Sequence, residues 1–159
     1  MSSPEDEALT SAHSIEYTYS RSLGPVVAEF LTGLRDGRIF AIRGSGGAVI
    51  VPPCEYDPLT AEELGRDRLV EVGPRGTVES SAWVFDPLAQ HPLEHPFAWV
   101  LVRLDGATTS LLHVLDSVTP ERVVTGLRVE AEFRPISERV GRIQDIRAFV
   151  PSGSDRDVA

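Results

Sequence analysis

Lysine is absent from this chain. All 15 basic residues are arginine, set against 24 acidic ones, and the formal net charge is −9. Schiff-base chemistry through a lysine amine is therefore excluded. The acidic balance also argues against binding nucleic acid, where neutralising phosphate supplies much of the affinity. Cysteine occurs once, at Cys54. A single thiol excludes an internal disulfide framework. No apolar run approaches the roughly 20 residues that span a bilayer. The opening residues, Met1-Ser2-Ser3-Pro4-Glu5-Asp6-Glu7, are acidic and polar. They lack the basic start and apolar stretch of a secretory signal. A cytoplasmic location without membrane contact is the expectation.

What is present suffices for a folded domain. The chain has 159 residues, 42% of them hydrophobic. That is an ordinary globular composition, long enough to bury a core. Residues 1–21 read as a flexible N-terminal arm. Within it Ile15, Tyr17 and Tyr19 alternate, so one side can pack on a neighbour or fold back on the chain. A helix is expected over 22–37. Ser22 can cap it, Pro25 suits an early helical position, and Gly37 sits where a helix stops. Val26, Val27, Phe30, Leu31 and Leu34 form one apolar stripe. Its cover is either the rest of the chain or another subunit.

The segment from Arg43 to Thr60 has the frame of a zinc ribbon without its cysteines. Such a ribbon reads C-x-x-C-G, four residues, P-P, three residues, C-P-x-C. Gly47, Pro52, Pro53 and Pro58 stand where the frame places Gly, Pro, Pro and Pro. The ligand slots hold Arg43, Gly46, Asp57 and Thr60. Structural zinc takes four thiolate or imidazole ligands, so no zinc and no other metal is expected. Residues 38–68 read as a degenerate, metal-free, rubredoxin-like ribbon. Its hairpin turns at Gly44-Ser45-Gly46-Gly47. That glycine run is not a phosphate loop, because neither a helix nor Gly-Lys-Ser/Thr follows it. Thr60 with Glu63 suggests a short capped helix after the ribbon.

Beyond residue 69 the pattern is mainly β. Strands are expected near 69–72, 76–85, 96–104, 108–114, 127–134 and 142–150, with a short helix or turn around Pro120. Many short strands with frequent turns indicate a barrel or a sandwich.

Catalytic signals are weak. His13 lies in the leader. His91 and His95 flank Pro92-Leu93-Glu94 in a loop, where the spacing does not make a metal pair. That loop is a candidate contact with a partner or substrate channel. His113 sits in an apolar strand and reads as a sheet residue. Ser45 lacks the Gly-x-Ser-x-Gly elbow of a hydrolase. Cys54 stands beside Glu55, whose charge raises a thiol pKa. No catalytic residue is assigned.

The set of motifs from Gly24 to Pro151 resembles the acyl-CoA-associated OB-fold family, which carries an N-terminal helix, a zinc ribbon and a small OB barrel. The marks are the Gly47/Pro52-Pro53/Pro58 frame, Gly76-Thr77-Val78-Glu79-Ser80, Pro96-Phe97-Ala98-Trp99, Leu104-Asp105-Gly106, Gly126-Leu127-Arg128-Val129 and Ala148-Phe149-Val150-Pro151. The resemblance implies an OB barrel over 69–151, followed by a tail at 152–159. It also implies a non-catalytic subunit that binds a thiolase-like aldolase or a MaoC-type hydratase and completes its acyl-CoA channel. Steroid side-chain or lipid degradation is the implied setting. Any contact with acyl-CoA would come through the partner.

An OB barrel raises an alternative, the binding of single-stranded nucleic acid, for which Trp83, Phe85, Phe97 and Trp99 would be stacking residues. The net charge speaks against it. The expected partner surface combines the helix, through Val26, Phe30 and Leu34, with the hairpin, through Ile50, Val51, Pro52, Pro53 and Tyr56. A ribbon without metal should need packing against something.

Overall fold

A computed structural model describes residues 13–18 and 22–153. The expected 1–21 arm falls largely outside them, as do Tyr19 and the tail beyond Gly153. Residues 13–18 form no helix or strand and are all exposed, Ile15 and Tyr17 included.

The helix α1 spans Pro25–Arg35. Its N-cap is Gly24, which has no side chain to offer, rather than the expected Ser22. Glu55 supplies the cap from a distant loop. Its Oε1 accepts the N–H groups of Val26 and Val27 at 3.0 Å each. Those donors would otherwise be left open at the helix start. Gly24 makes room for the carboxylate, since a Cβ there would lie 2.1 Å from Glu55 Oε1.

Three short strands follow the helix in a small sheet ordered β2-β1-β3. They are β1 (Ile39–Arg43), β2 (Val49–Ile50) and β3 (Leu69–Val72). Strand β3 was expected in the barrel, but it pairs antiparallel with β1, Ile39 opposite Val72. No helix begins at Thr60. Residues 58–60 form a turn, and Glu63 instead pairs with Tyr56 in an isolated bridge.

The remaining strands close a five-stranded barrel in the order β4-β5-β6-β8-β7. They are β4 (Arg75–Val84), β5 (Phe97–Leu104), β6 (Leu111–Leu115), β7 (Arg128–Phe133) and β8 (Ile146–Pro151). Only β6 and β8 run parallel; the other neighbours are antiparallel. This is the OB arrangement, in which the third and fifth strands meet to close the barrel. A 3-10 turn at Pro120–Arg122 makes the link before β7.

One core runs through both parts. Phe30 and Leu34 of α1 join Ile39, Val51 and Val72 of the small sheet region. These pack continuously with Val78, Val102 and Phe149 of the barrel. Fully burying a side chain such as Leu34 contributes about 2 kcal/mol. The helix stripe therefore covers the chain's own core. Val26 packs in a second small cluster with Ile42 and Leu64. A third cluster, Phe97, Val114 and Ala148, lies outside the barrel under Leu93 of the loop before β5.

Candidate functional site

The two turns that a ribbon would use as metal knuckles are joined by a carboxylate. Asp57 fills a ligand slot and is buried. Its Oδ2 accepts the Ser45 N–H of the first turn at 2.7 Å. Its Oδ1 accepts the Leu59 and Thr60 N–H groups of the second turn at 2.8 and 3.1 Å. Hydrogen bonds from Leu59 and Ser45 hold the carboxyl below its usual range. Ser45 Oγ also donates to Glu62, which pairs with Arg68 at 2.9 Å. Gly44 leaves space for this, because a Cβ there would sit 2.7 Å from Asp57 Oδ2.

These residues do not fit a zinc ion. Arg43 and Gly46 offer no ligand atom, and both oxygens of Asp57 are engaged by backbone donors. Among the described residues no group of three or more His, Cys, Asp or Glu could hold a metal. Cys54 is a free, half-buried thiol. Burial and the nearby Asp57 carboxylate push its pKa up, away from a reactive thiolate.

The hairpin has a second support. Thr109 Oγ1, in the loop between β5 and β6, accepts the Val51 N–H at 2.8 Å and donates to the Val51 carbonyl at 3.0 Å. Thr108 Oγ1 does the same for Val49 at 2.8 and 3.0 Å. The hairpin thus packs on its own barrel.

This corrects much of the expected partner surface. Val26, Phe30, Leu34, Val51 and Pro53 are buried within the chain and leave no side chain for a partner. Ile50 is half-buried against the cluster of Val26, Ile42 and Leu64. Pro52 and Tyr56 are exposed, and so is the neighbouring Leu59, at 89% of its surface. Sequence reasoning passed over Leu59 because its apolar character was hidden in a turn-like Asp-Pro-Leu-Thr run.

The loop carrying His91 and His95 lies against the barrel at a cleft. Both histidines are anchored. His91 Nδ1 accepts the Leu88 N–H at 3.0 Å, and its ring meets Phe97 edge-on. His95 Nε2 lies 2.8 Å from Asp116 Oδ1. Asp116, at the end of β6, is buried. It also accepts from Arg147 Nη1 at 2.7 Å and from the Ser117 N–H at 2.6 Å. Burial pushes this carboxyl up, but His95, Arg147 and Ser117 outweigh it and hold it below the usual range. Arg147 in turn pairs with Glu132. Loop, barrel edge and β8 are thereby clamped at one point.

The cleft has a volume of about 360 Å³. Trp99, Leu112 and Val114 line one side and Ile143 and Ile146 another, with Gln90 and Pro92 from the loop. His113 is buried in β6, as its strand pattern predicts. Burial lowers its pKa, so the ring is neutral at pH 7. Its Nε2 lies 3.4 Å from the Ile143 carbonyl, and its Nδ1 is buried with no hydrogen-bond partner.

No helix among the described residues is long and apolar enough to cross a membrane. The aromatic residues do not form an open stacking platform. Phe97 is fully buried, Trp83 and Trp99 are half-buried, and Phe85 alone of the four is exposed.

Comparison with known proteins agrees with this geometry. Residues 69–134, from β3 through β7, match the family described as ChsH2, C-terminal OB-fold domain. No curated protein matches the chain. A solved structure of a Sulfolobus solfataricus protein of unknown function from the DUF35 family is similar at 21% identity and a TM-score of 0.55. That likeness covers 68% of this chain and 78% of the other. A chain of the Ltp2-ChsH2(DUF35) aldolase is similar at 19% identity and a TM-score of 0.61, over 83% of this chain and 98% of that one. The resemblance to the ChsH2 C-terminal OB-fold family lies in residues 69–134, and the likeness to the two solved structures is one of fold.

Proposed function

We propose that this chain is a non-catalytic accessory subunit that binds a thiolase-like aldolase and completes its acyl-CoA substrate channel, in steroid side-chain or lipid degradation. The observation that carries the reading is the structural likeness to a chain of the Ltp2-ChsH2 aldolase along nearly all of that chain's length. The chemistry of the described residues agrees. The His95–Asp116 pair resembles half of a catalytic triad, but Asp116 is also tied to Arg147, and the one thiol is in the ribbon with a raised pKa. A nucleophile set against an oriented base is what catalysis by this chain would need.

The partner surface is Tyr56, Pro52 and Leu59 on the ribbon, with Ile50 at its edge. Tyr56 and Leu59 are large apolar groups held out by rigid turns, the kind of anchor that interfaces use. The loop with His91 and His95 borders the substrate channel. Co-expression with a thiolase-like aldolase subunit tests the assignment. The two chains should co-elute in a fixed ratio on size exclusion. Separate elution at micromolar concentrations would remove the basis for the proposal.

A further inference from the structure

The chain has a net charge of −9, yet no carboxylate lines the cleft beside β5, β6 and β8. Its charged lining consists of Arg134 and Arg147. Arg147 is neutralised by Asp116 and Glu132. Arg134 is less committed. Its Nε donates to the Gln144 carbonyl at 2.9 Å, and its Nη1 stands 3.7 Å from Glu138, a loose contact. The amide side chains of Gln90 and Gln144 also line the cleft. Trp99, Leu112, Val114, Ile143 and Ile146 supply the apolar lining, and Leu101 lies beside it on β5. Trp99 on β5 is directly opposite Val114 on β6, and Leu112 is opposite Leu101. Leu112 is 58% exposed and Leu101 40% exposed, an unusual apolar run on the outside of a small barrel.

We infer that this cleft is a binding site for a small, flat, apolar anion, a ring system bearing a carboxylate or sulfonate. The ring lies along Trp99 and Leu112, and the anionic head meets the guanidinium of Arg134. A volume of about 360 Å³ suits a two- or three-ring body. Aromatic and aliphatic walls with a few polar groups at the rim are the usual make-up of such sites. His113 adds a second sign. His113 itself lines the cleft, its Nδ1 is buried with no hydrogen-bond partner, and an unsatisfied buried polar atom calls for an explanation. The inference does not depend on an aldolase partner, because the cleft is formed by this chain alone.

The test uses the purified full chain with two probes, 2-naphthoate and neutral 2-naphthol. Trp83→Phe leaves Trp99 as the reporting tryptophan. Saturable quenching with one site per chain is expected for 2-naphthoate, with 2-naphthol weaker by at least about threefold, roughly 0.7 kcal/mol. Arg134→Gln should bring the two probes to equal affinity. Leu112→Glu, at an exposed position that leaves the fold alone, should weaken 2-naphthoate at least about tenfold. Absence of saturable quenching by 2-naphthoate up to about 5 mM would overturn the inference. Unchanged affinity in Leu112→Glu would also overturn it, and so would equal affinity of the two probes for the chain with Arg134 intact. None of these results bears on co-elution with a thiolase-like subunit, so the two readings fail separately.

Discussion

Asp57 Oδ2 accepts the backbone N–H of Ser45 at 2.7 Å, tying together two turns that lie 12 residues apart in sequence. A ribbon normally makes that connection through a metal ion and four ligands. Here one carboxylate makes it with three backbone donors.

Asp57→Asn should lower the unfolding midpoint, because the amide accepts with one oxygen instead of two. The pH dependence has a definite sign. The folded carboxyl is held below its unfolded value of about 3.9. Its contribution is therefore complete above that value and is lost as pH falls through the lower, folded pKa. Urea midpoints for both proteins should differ by a constant amount from pH 7 down to about 4. Below that the difference should shrink. A gap that stays constant to pH 2 would contradict the assignment.

Gly24 and Glu55 should behave as a coupled pair. Glu55→Ala removes the cap of α1 at a cost of about 1 kcal/mol. Gly24→Ala should cost a similar amount by displacing the carboxylate. In the Glu55→Ala background, adding Gly24→Ala should cost almost nothing. Additive losses in a double-mutant cycle would show the two sites to be independent.

Thr109→Val keeps the shape of the side chain and removes the hydroxyl that meets both polar groups of Val51. Val51 is buried, so its N–H is left without its partner. The expected loss is about 1–3 kcal/mol in a chemical denaturation experiment. A change within error would mean that the hairpin does not rely on the barrel loop.

The barrel was legible because alternation survives in long strands. Phe97, Trp99 and Leu101 fall on one side of β5, and Ala98, Val100 and Val102 on the other, so strand and faces follow from period two. Strand β3 defeated the same logic. Leu69, Val70 and Val72 suit either sheet, and their partner is chosen by β1, some thirty positions earlier, as in Ile39 opposite Val72. The cap from Glu55 was hidden for a related reason: Ser22 is a good local candidate, and the carboxylate that serves comes from a separation of 28 or 29 residues. At the ribbon, the ligand slots showed that Asp57 was out of place for zinc. They did not show that its oxygens replace the cross-link. The helix stripe was correctly apolar, but periodicity does not reveal whether the cover is the chain itself or a second protein.

The exposed ribbon residues carry the partner prediction. Tyr56→Ala with Leu59→Asp should leave the unfolding midpoint near that of the parent chain, because both side chains are mostly exposed. The same pair should reduce co-elution with the thiolase-like subunit at least about tenfold in affinity. Retention of full affinity would place the interface elsewhere on the fold.

The most direct measurement of the central claim is the rate of aldol cleavage of an acyl-CoA substrate by the thiolase-like subunit, with and without this chain. The account predicts that this chain alone has no activity and that adding it in equal ratio raises the partner's cleavage rate. A partner whose rate is the same with or without the chain, or cleavage by the chain alone, would contradict it.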